Sequence, residues 1–170
     1  MYSIIEKIKY YFPHIIIILI TLNDSLFVNS WIAPGPIVNL KYIIIFYFSF
    51  FDKERFSITF LFILGLLFDS MYAMPLGSSS ICFICLNKIA IFLHKKRTRI
   101  NYQNEFTSFI ISLFLTQIIA LFVLHEFGKA PLEYSLLFIN LIFTTICYPL
   151  ARYFFQYLFR LNQIDYGNQS

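Results

Sequence analysis

Apolar residues gather into six runs along the chain, roughly 13–29, 37–51, 56–72, 76–93, 106–124 and 134–158, separated by short polar or proline-bearing breaks. Within each run they continue around every face rather than alternating, which predicts helices without a wet side. A stretch of about 18 or more residues with few charges is long enough to cross a hydrocarbon core of about 30 Å. The second run falls short of that length. Ahead of the first run, residues 2–12 set Ile4, Ile5, Ile8, Tyr11 and Phe12 against Glu6, Lys7 and Lys9. That is the pattern of a short amphipathic lead-in lying at a membrane interface.

The breaks carry consistent punctuation. Pro13 suits the first turn of a helix. Trp31-Ile32-Ala33-Pro34-Gly35-Pro36 interrupts the chain with an interfacial aromatic and two prolines. Asp52-Lys53-Glu54-Arg55 reads as a tight charged turn, and Met74-Pro75-Leu76-Gly77 as another. The pattern predicts an all-α polytopic membrane protein, six transmembrane helices in one bundle and a single domain over 1–170. No small-x-small cleavage site follows the first run, where Asn23-Asp24-Ser25 stands instead, so this segment is expected to remain uncleaved.

Charge then orients the runs. Lys7, Lys9, Lys53, Arg55, Lys95, Lys96, Arg97, Arg99, Arg152 and Arg160 fall on one side, and Lys41 and Lys129 on the other, with Lys88 inside the fourth run. With short loops this ten-to-two bias assigns the basic side, and with it both termini, to the cytoplasm. Lys95, Lys96, Arg97 and Arg99 form the densest group and fit contact with anionic lipid headgroups, at about 1 kcal/mol per residue. Lys41, early in the second run, is expected to snorkel toward the far headgroups.

Composition agrees. Hydrophobic residues make up 59% of the chain and charged residues 13%, where soluble domains carry about 25% charge. The net charge of +4 is spent on loop anchors, so it does not signal a nucleic-acid surface.

Polar residues inside the runs mark where function or packing must lie, because a charge at a helix centre costs about 2.5–3.5 kcal/mol on insertion scales. Asp69 shares a helical face with Gly65. The glycine admits a neighbouring backbone, and the acid is then placed to accept from that helix or to cap a nearby turn. Lys88 shares a face with Ile81, Cys85 and Phe92 and reaches the surface by snorkelling. Gln117 and Asn140 lie deep. Asn140, Thr144, Cys147 and Ala151 form a small, mildly polar stripe suited to a helix–helix interface. Pro149 removes the usual donor to the carbonyl of Thr145, which the Thr hydroxyls or a neighbouring helix can replace.

Enzymatic chemistry finds no constellation. Ser78, Ser79 and Ser80 have no base nearby in sequence, and His14, His94 and His125 fall at different levels. His125 and Glu126, adjacent in sequence, are not expected to face each other. Cys82 and Cys85 share a face at i, i+3, but zinc needs four ligands and no second pair lies near them. The reading is therefore a non-enzyme with no cofactor.

The stretch Gly65-Leu66-Leu67-Phe68-Asp69, continuing to Ala73-Met74-Pro75-Leu76-Gly77, resembles the Gly-Leu-Leu-x-Asp…small-x-Pro-Leu-Gly signature of the MreD family of rod-shape-determining membrane proteins. Length, six runs, short loops and the basic cluster after the fourth run agree with it. Ser78-Ser79 stands where that family more often carries bulkier residues. The resemblance implies a non-enzymatic component of the cell-elongation machinery that builds lateral peptidoglycan. It further implies an MreC-like bitopic partner, a wall-synthesis glycosyltransferase and transpeptidase pair, and the MreB filament. Gly65, Asp69, Pro75 and Gly77 carry over as residues shaping the junction between the third and fourth spans. The family is also similar in architecture to the substrate-binding subunits of energy-coupling-factor transporters, which makes a small-molecule transporter subunit the alternative.

Overall fold

The computed structural model describes residues 11–22, 38–71, 74–96, 101–127 and 134–159. They form six helices and no strand: α1 Tyr11–Leu22, α2 Leu40–Phe51, α3 Ile58–Met71, α4 Ser78–Lys96, α5 Tyr102–Phe127 and α6 Tyr134–Phe159. Each falls on one of the six apolar runs, and α5 extends a full turn before its run begins. The lead-in over 2–10, the break from Trp31 to Pro36, Arg97, Arg99, Lys129 and Arg160 lie outside the described residues.

Ring contacts fix the relative directions. His14, early in α1, meets Phe56 with centroids 5.0 Å apart, and Phe50, at the end of α2, meets His94, near the end of α4, at the same spacing. Phe155, late in α6, lies 5.6 Å from Phe48. At the opposite end the backbone N–H of Asn39 donates to Thr144 Oγ1 of α6. Successive helices therefore alternate in direction, and one end of the molecule collects the 52–57 turn, the close of α4, the start of α5 and the close of α6.

α2 is the axis. Ile43 through Phe50 are buried without interruption, which explains why this run shows no polar face: every side meets protein. Phe46 stacks on Phe50 and meets both Phe109 of α5 and Tyr148 of α6 edge-on. Ser49, buried in α2, has its partner on α4: its Oγ accepts from Asn87 Nδ2 at 2.7 Å.

Helix lengths separate the molecule into two classes. α5 and α6 contain windows, Tyr102–Val123 and Leu137–Tyr157, long and apolar enough to cross a membrane, with only 28% and 11% of those windows buried. A helix in the core of a water-soluble protein would be mostly buried. Here Phe122, Phe138, Ile146 and Leu150 stand 62–74% exposed. α2 and α3, at 12 and 14 residues, reach only about 18 and 21 Å at 1.5 Å per residue. α4 has 19 residues but carries Ser78 to Ser80, Asn87 and Lys88, and so lacks the apolar density of α5 and α6.

The turn between α2 and α3 is closed by Asp52 and Arg55, paired at 3.0 Å, with the Arg55 guanidinium over the Phe48 ring. α4 ends in His94, Lys95 and Lys96, and the two lysines place cations at the negative end of the helix dipole.

Candidate functional site

The residues of the Gly65-to-Gly77 stretch converge. α3 and α4 approach so closely at Gly65 that a Cβ there would lie 2.3 Å from the Ser80 Cα and 2.4 Å from its nitrogen. Only hydrogen fits, and the obstacle is backbone, which cannot swing aside. One turn on, Asp69 is fully buried and reaches across to the start of α4. Its Oδ2 accepts from Gly77 N–H at 2.7 Å and Ser79 N–H at 3.3 Å, and its Oδ1 accepts from Ser79 N–H at 3.1 Å and the Ser78 hydroxyl at 3.1 Å.

The backbone donors among these are orphan amides of the kind that every helix start exposes. A carboxylate there meets both hydrogen-bond donors and the positive end of the dipole. Asp69 is thus an N-cap supplied from the neighbouring helix instead of from the preceding residue. The turn that permits it needs Gly77, whose φ of +93° lies in the left-handed region. Pro75 contributes its carbonyl, which accepts from Ser78 N–H at 3.1 Å. Ser80 adds a third tie, its hydroxyl donating to the Phe62 carbonyl at 2.8 Å. Ser78 and Ser79, which stand where the MreD signature more often has bulkier residues, are partners of Asp69, and Ser80 is the partner of Phe62.

The stripe on α6 divides. Thr144 is fully buried, accepting from Asn39 N–H at 3.1 Å and donating to the Asn140 carbonyl at 2.6 Å. Cys147 is half-buried against the core. Asn140 lines a cavity of about 190 Å³ with Asn39, Lys41, Tyr42 and Gln117. The Thr hydroxyls do not serve the carbonyl of Thr145: they donate to those of Asn140 and Leu141, one turn earlier, and α6 runs unbroken through Pro149.

Two sequence expectations need correction. Lys41 does not extend outward. It is 5% exposed, and its ammonium sits 3.6 Å from the centroid of the Phe68 ring. The ring's negative face provides an inward alternative to snorkelling. His125 Nδ1 and Glu126 Oε1 approach to 3.7 Å despite being neighbours in sequence, but both are exposed and such pairs contribute little. Lys88 is exposed along with Ile81 and Phe92 of its face, free to extend toward the helix end. Lys95 and Lys96 are exposed. Cys82 is buried, Cys85 half-buried, and both are free thiols.

The largest feature not foreseen lies at the other end. Glu105 is 0% exposed and accepts from Tyr148 Oη at 2.6 Å and from Arg152 Nε at 2.8 and 2.9 Å. Arg152 also lies over the Tyr102 ring, and Phe109 stacks on Tyr148 at 4.0 Å. Glu105 stands one residue before the apolar run, and Arg152 reads as one more basic anchor, so neither announces a partner 47 positions away. The Ser108, Ser112 and Thr116 series was legible in principle. Small residues every fourth position give α5 a narrow face, and each hydroxyl donates to the carbonyl one turn back, which leaves that face without unmet polar atoms.

Among the described residues, no three His, Cys, Asp or Glu side chains converge as a metal site would require. Against the expectation of three different levels, His14 and His94 share one end of the molecule, each against phenylalanine rings, and only His125 lies at the other. Comparison with protein-family models, with curated proteins and with solved structures finds no match.

Proposed function

We propose that this chain is a multi-pass protein of the bacterial cytoplasmic membrane, with six spans and both termini on the cytoplasmic side, acting as an MreD-like scaffold of cell elongation. The observation that carries the reading is the α3–α4 junction. Gly65, Asp69, Pro75 and Gly77 match the family signature, and they are the residues whose chemistry the junction depends on. A signature of this kind is what a structural role produces: one position needing no side chain, one acid for a helix start, and one glycine for a positive φ.

The membrane part of the proposal is supported by the exposed apolar flanks of α5 and α6 and by the ten-to-two basic bias. The shorter α2 is sheltered from lipid by its neighbours, so its length need not match the hydrocarbon core. A scaffold acts through helix faces and loop tips. In this reading an MreC-like protein, the glycosyltransferase and transpeptidase pair, and the MreB filament are the partners, and Lys95, Lys96, Arg97 and Arg99 hold the cytoplasmic face to anionic lipid.

Affinity purification from mild detergent with mass spectrometry tests the reading. Recovery of an MreC-like protein or the wall-synthesis pair is the expected outcome, together with rounding of a rod-shaped host on depletion. The second reading, a substrate-binding subunit of an energy-coupling-factor transporter, draws on the cavity beside Lys41. Co-purification of a coupling subunit and an ATPase would replace the first reading with it.

A further inference from the structure

The carboxamides of Asn39 and Gln117 and the hydroxyl of Tyr42 line the 190 Å³ cavity without a side-chain hydrogen bond among the described residues. Asn39 and Tyr42 stand at the start of α2, and Gln117 lies past the middle of α5. Polar groups inside a protein are ordinarily paired. Donors and acceptors left open on the wall of one chamber point to a small polar occupant.

The charges nearby are already engaged. Lys41 lies over the Phe68 ring and has further interactions, as Asn140 does. The Asp69 carboxylate adjoins the chamber through Ser78 and Ser79, accepting from both and from Gly77. With a cation and an anion both at hand, an added ion of either sign meets one of its own kind. The chamber therefore favours an uncharged occupant. Met74, Ala120, Leu121 and Leu137 make much of the remaining wall apolar. A sugar would set hydroxyls against those side chains. A planar heterocycle turns two apolar faces to them and keeps its donors and acceptors on its edge.

Size agrees. An engineered cavity of about 150 Å³ takes up benzene, so 190 Å³ has room for one substituted ring or two small fused ones. A second space, of about 240 Å³ between α5 and α6, shares Gln117, Leu121 and Leu137 with the chamber. It is otherwise an apolar groove along Phe114, Ile118 and Phe138, with nothing to orient a ligand.

We propose that the chamber binds an uncharged planar heterocycle of nucleobase size. Its edge meets the Gln117 carboxamide together with Asn39 and Tyr42, and its faces lie against the apolar wall. A carboxamide presents a donor and an acceptor side by side, which is the pattern that pairs with adjacent acceptor and donor atoms on such a ring. This names a ligand class for the cavity on which the transporter reading draws, and it is independent of the role in cell elongation.

Equilibrium dialysis of the full chain in mild detergent tests it. Adenine, cytosine and nicotinamide are the probes, with glucose, benzoate and toluene as contrasts. Saturable binding of at least one of the three heterocycles, one per chain, is expected. Gln117→Leu, which keeps the size and removes the amide, should weaken it on the order of tenfold. Tyr42→Phe should weaken it by about threefold. Ala120→Phe, which fills the chamber and leaves every polar group in place, should abolish it. Lys95→Gln, on the basic surface, should leave it unchanged.

No binding of any of the three heterocycles at about 1 mM overturns the proposal. So does toluene held as tightly as they are, since the open polar groups would then count for nothing. Tighter binding of benzoate would make this an anion site, and tighter binding of glucose a polyol site; either overturns it. Heterocycle binding unchanged in both Gln117→Leu and Tyr42→Phe places the ligand elsewhere and overturns it equally. If Ala120→Phe elutes as aggregate, Gln117→Leu decides alone. Co-purification separates this from the readings above: a coupling subunit recovered with a chain that binds no heterocycle ends only the ligand class proposed here.

Discussion

Asp69 and Glu105 are both fully buried carboxylates joining neighbouring helices, and they are held by opposite means. Asp69 is met by two backbone amides and a hydroxyl at the start of α4, whereas Glu105 is met by the Arg152 guanidinium and the Tyr148 hydroxyl. The first arrangement extends along the interface, because the glycine one turn away and the Ser80 tie keep α3 and α4 in contact. The second is confined to one end. Away from Glu105, α5 and α6 diverge around the apolar groove between Phe114 and Phe138. A backbone-capped acid thus belongs to a junction with one geometry, and a side-chain ion pair to a clasp that leaves the rest of its helices free to part.

The comparison predicts a ranking. Arg152→Ala should have the largest effect, about 3–5 kcal/mol, because it leaves Glu105 buried with its charge uncompensated. The double change Arg152→Met with Glu105→Gln should recover most of that loss. Guanidinium or dodecyl sulfate titration, followed by labelling of the buried Cys82 thiol, reads both. Recovery no better than the single change would mean the clasp acts through more than charge balance.

Asp69→Ala comes next, at about 2–4 kcal/mol, the sum of a lost cap and a buried amide left without acceptor. Asp69→Asn keeps one acceptor oxygen and should lose about half as much. A variant Asp69→Asn as damaging as Asp69→Ala would show that the charge at the helix start outweighs the hydrogen bonds. Gly65→Ala follows at about 1–3 kcal/mol, the range for overpacking against an obstacle that cannot yield. It should also loosen the Asp69 cap, visible as faster amide exchange at Gly77 and Ser79.

Gly77→Ala is smaller, on the order of 1 kcal/mol, since nothing lies within 4 Å of the added methyl and only the positive φ is strained. The least effect is a pH dependence at His94, whose imidazole is held below its usual range by burial and, second, by nearby Lys53. The unfolded chain then binds the proton more readily, so stability falls as pH drops below the ordinary histidine value of about 6.5. Thermal melting of wild type against His94→Gln, from about pH 8 to pH 5, should show the two curves converging at acid pH.

How much of this could be read beforehand depends on the range of each interaction. The six helices follow from local apolar runs, and their ends miss by a few residues where caps and turns decide. Gly65 and Asp69 were legible because both partners of the junction lie within one short stretch of chain. The donors to Asp69 are eight to ten residues downstream. Glu105 and Arg152, 47 apart, carry no local signal, and an acid at the rim of an apolar run looks like a solvated end. Lys41 was misjudged for a different reason: snorkelling is the default for a lysine near a helix end, and only the tertiary position of Phe68 supplies an alternative.

The cap on Asp69 also bears on how the chain is made. When α3 first leaves the ribosome, its carboxylate has no partner, since Gly77 to Ser79 have yet to be added. At about 5–20 residues per second, ten more residues take about 0.5–2 s. If α3 and α4 are spans, as proposed above, α3 is a poor passenger for the bilayer during that interval and a good one once α4 begins. On that reading the two helices should enter together as a hairpin, with α3 held until the first turn of α4 arrives to receive its charge.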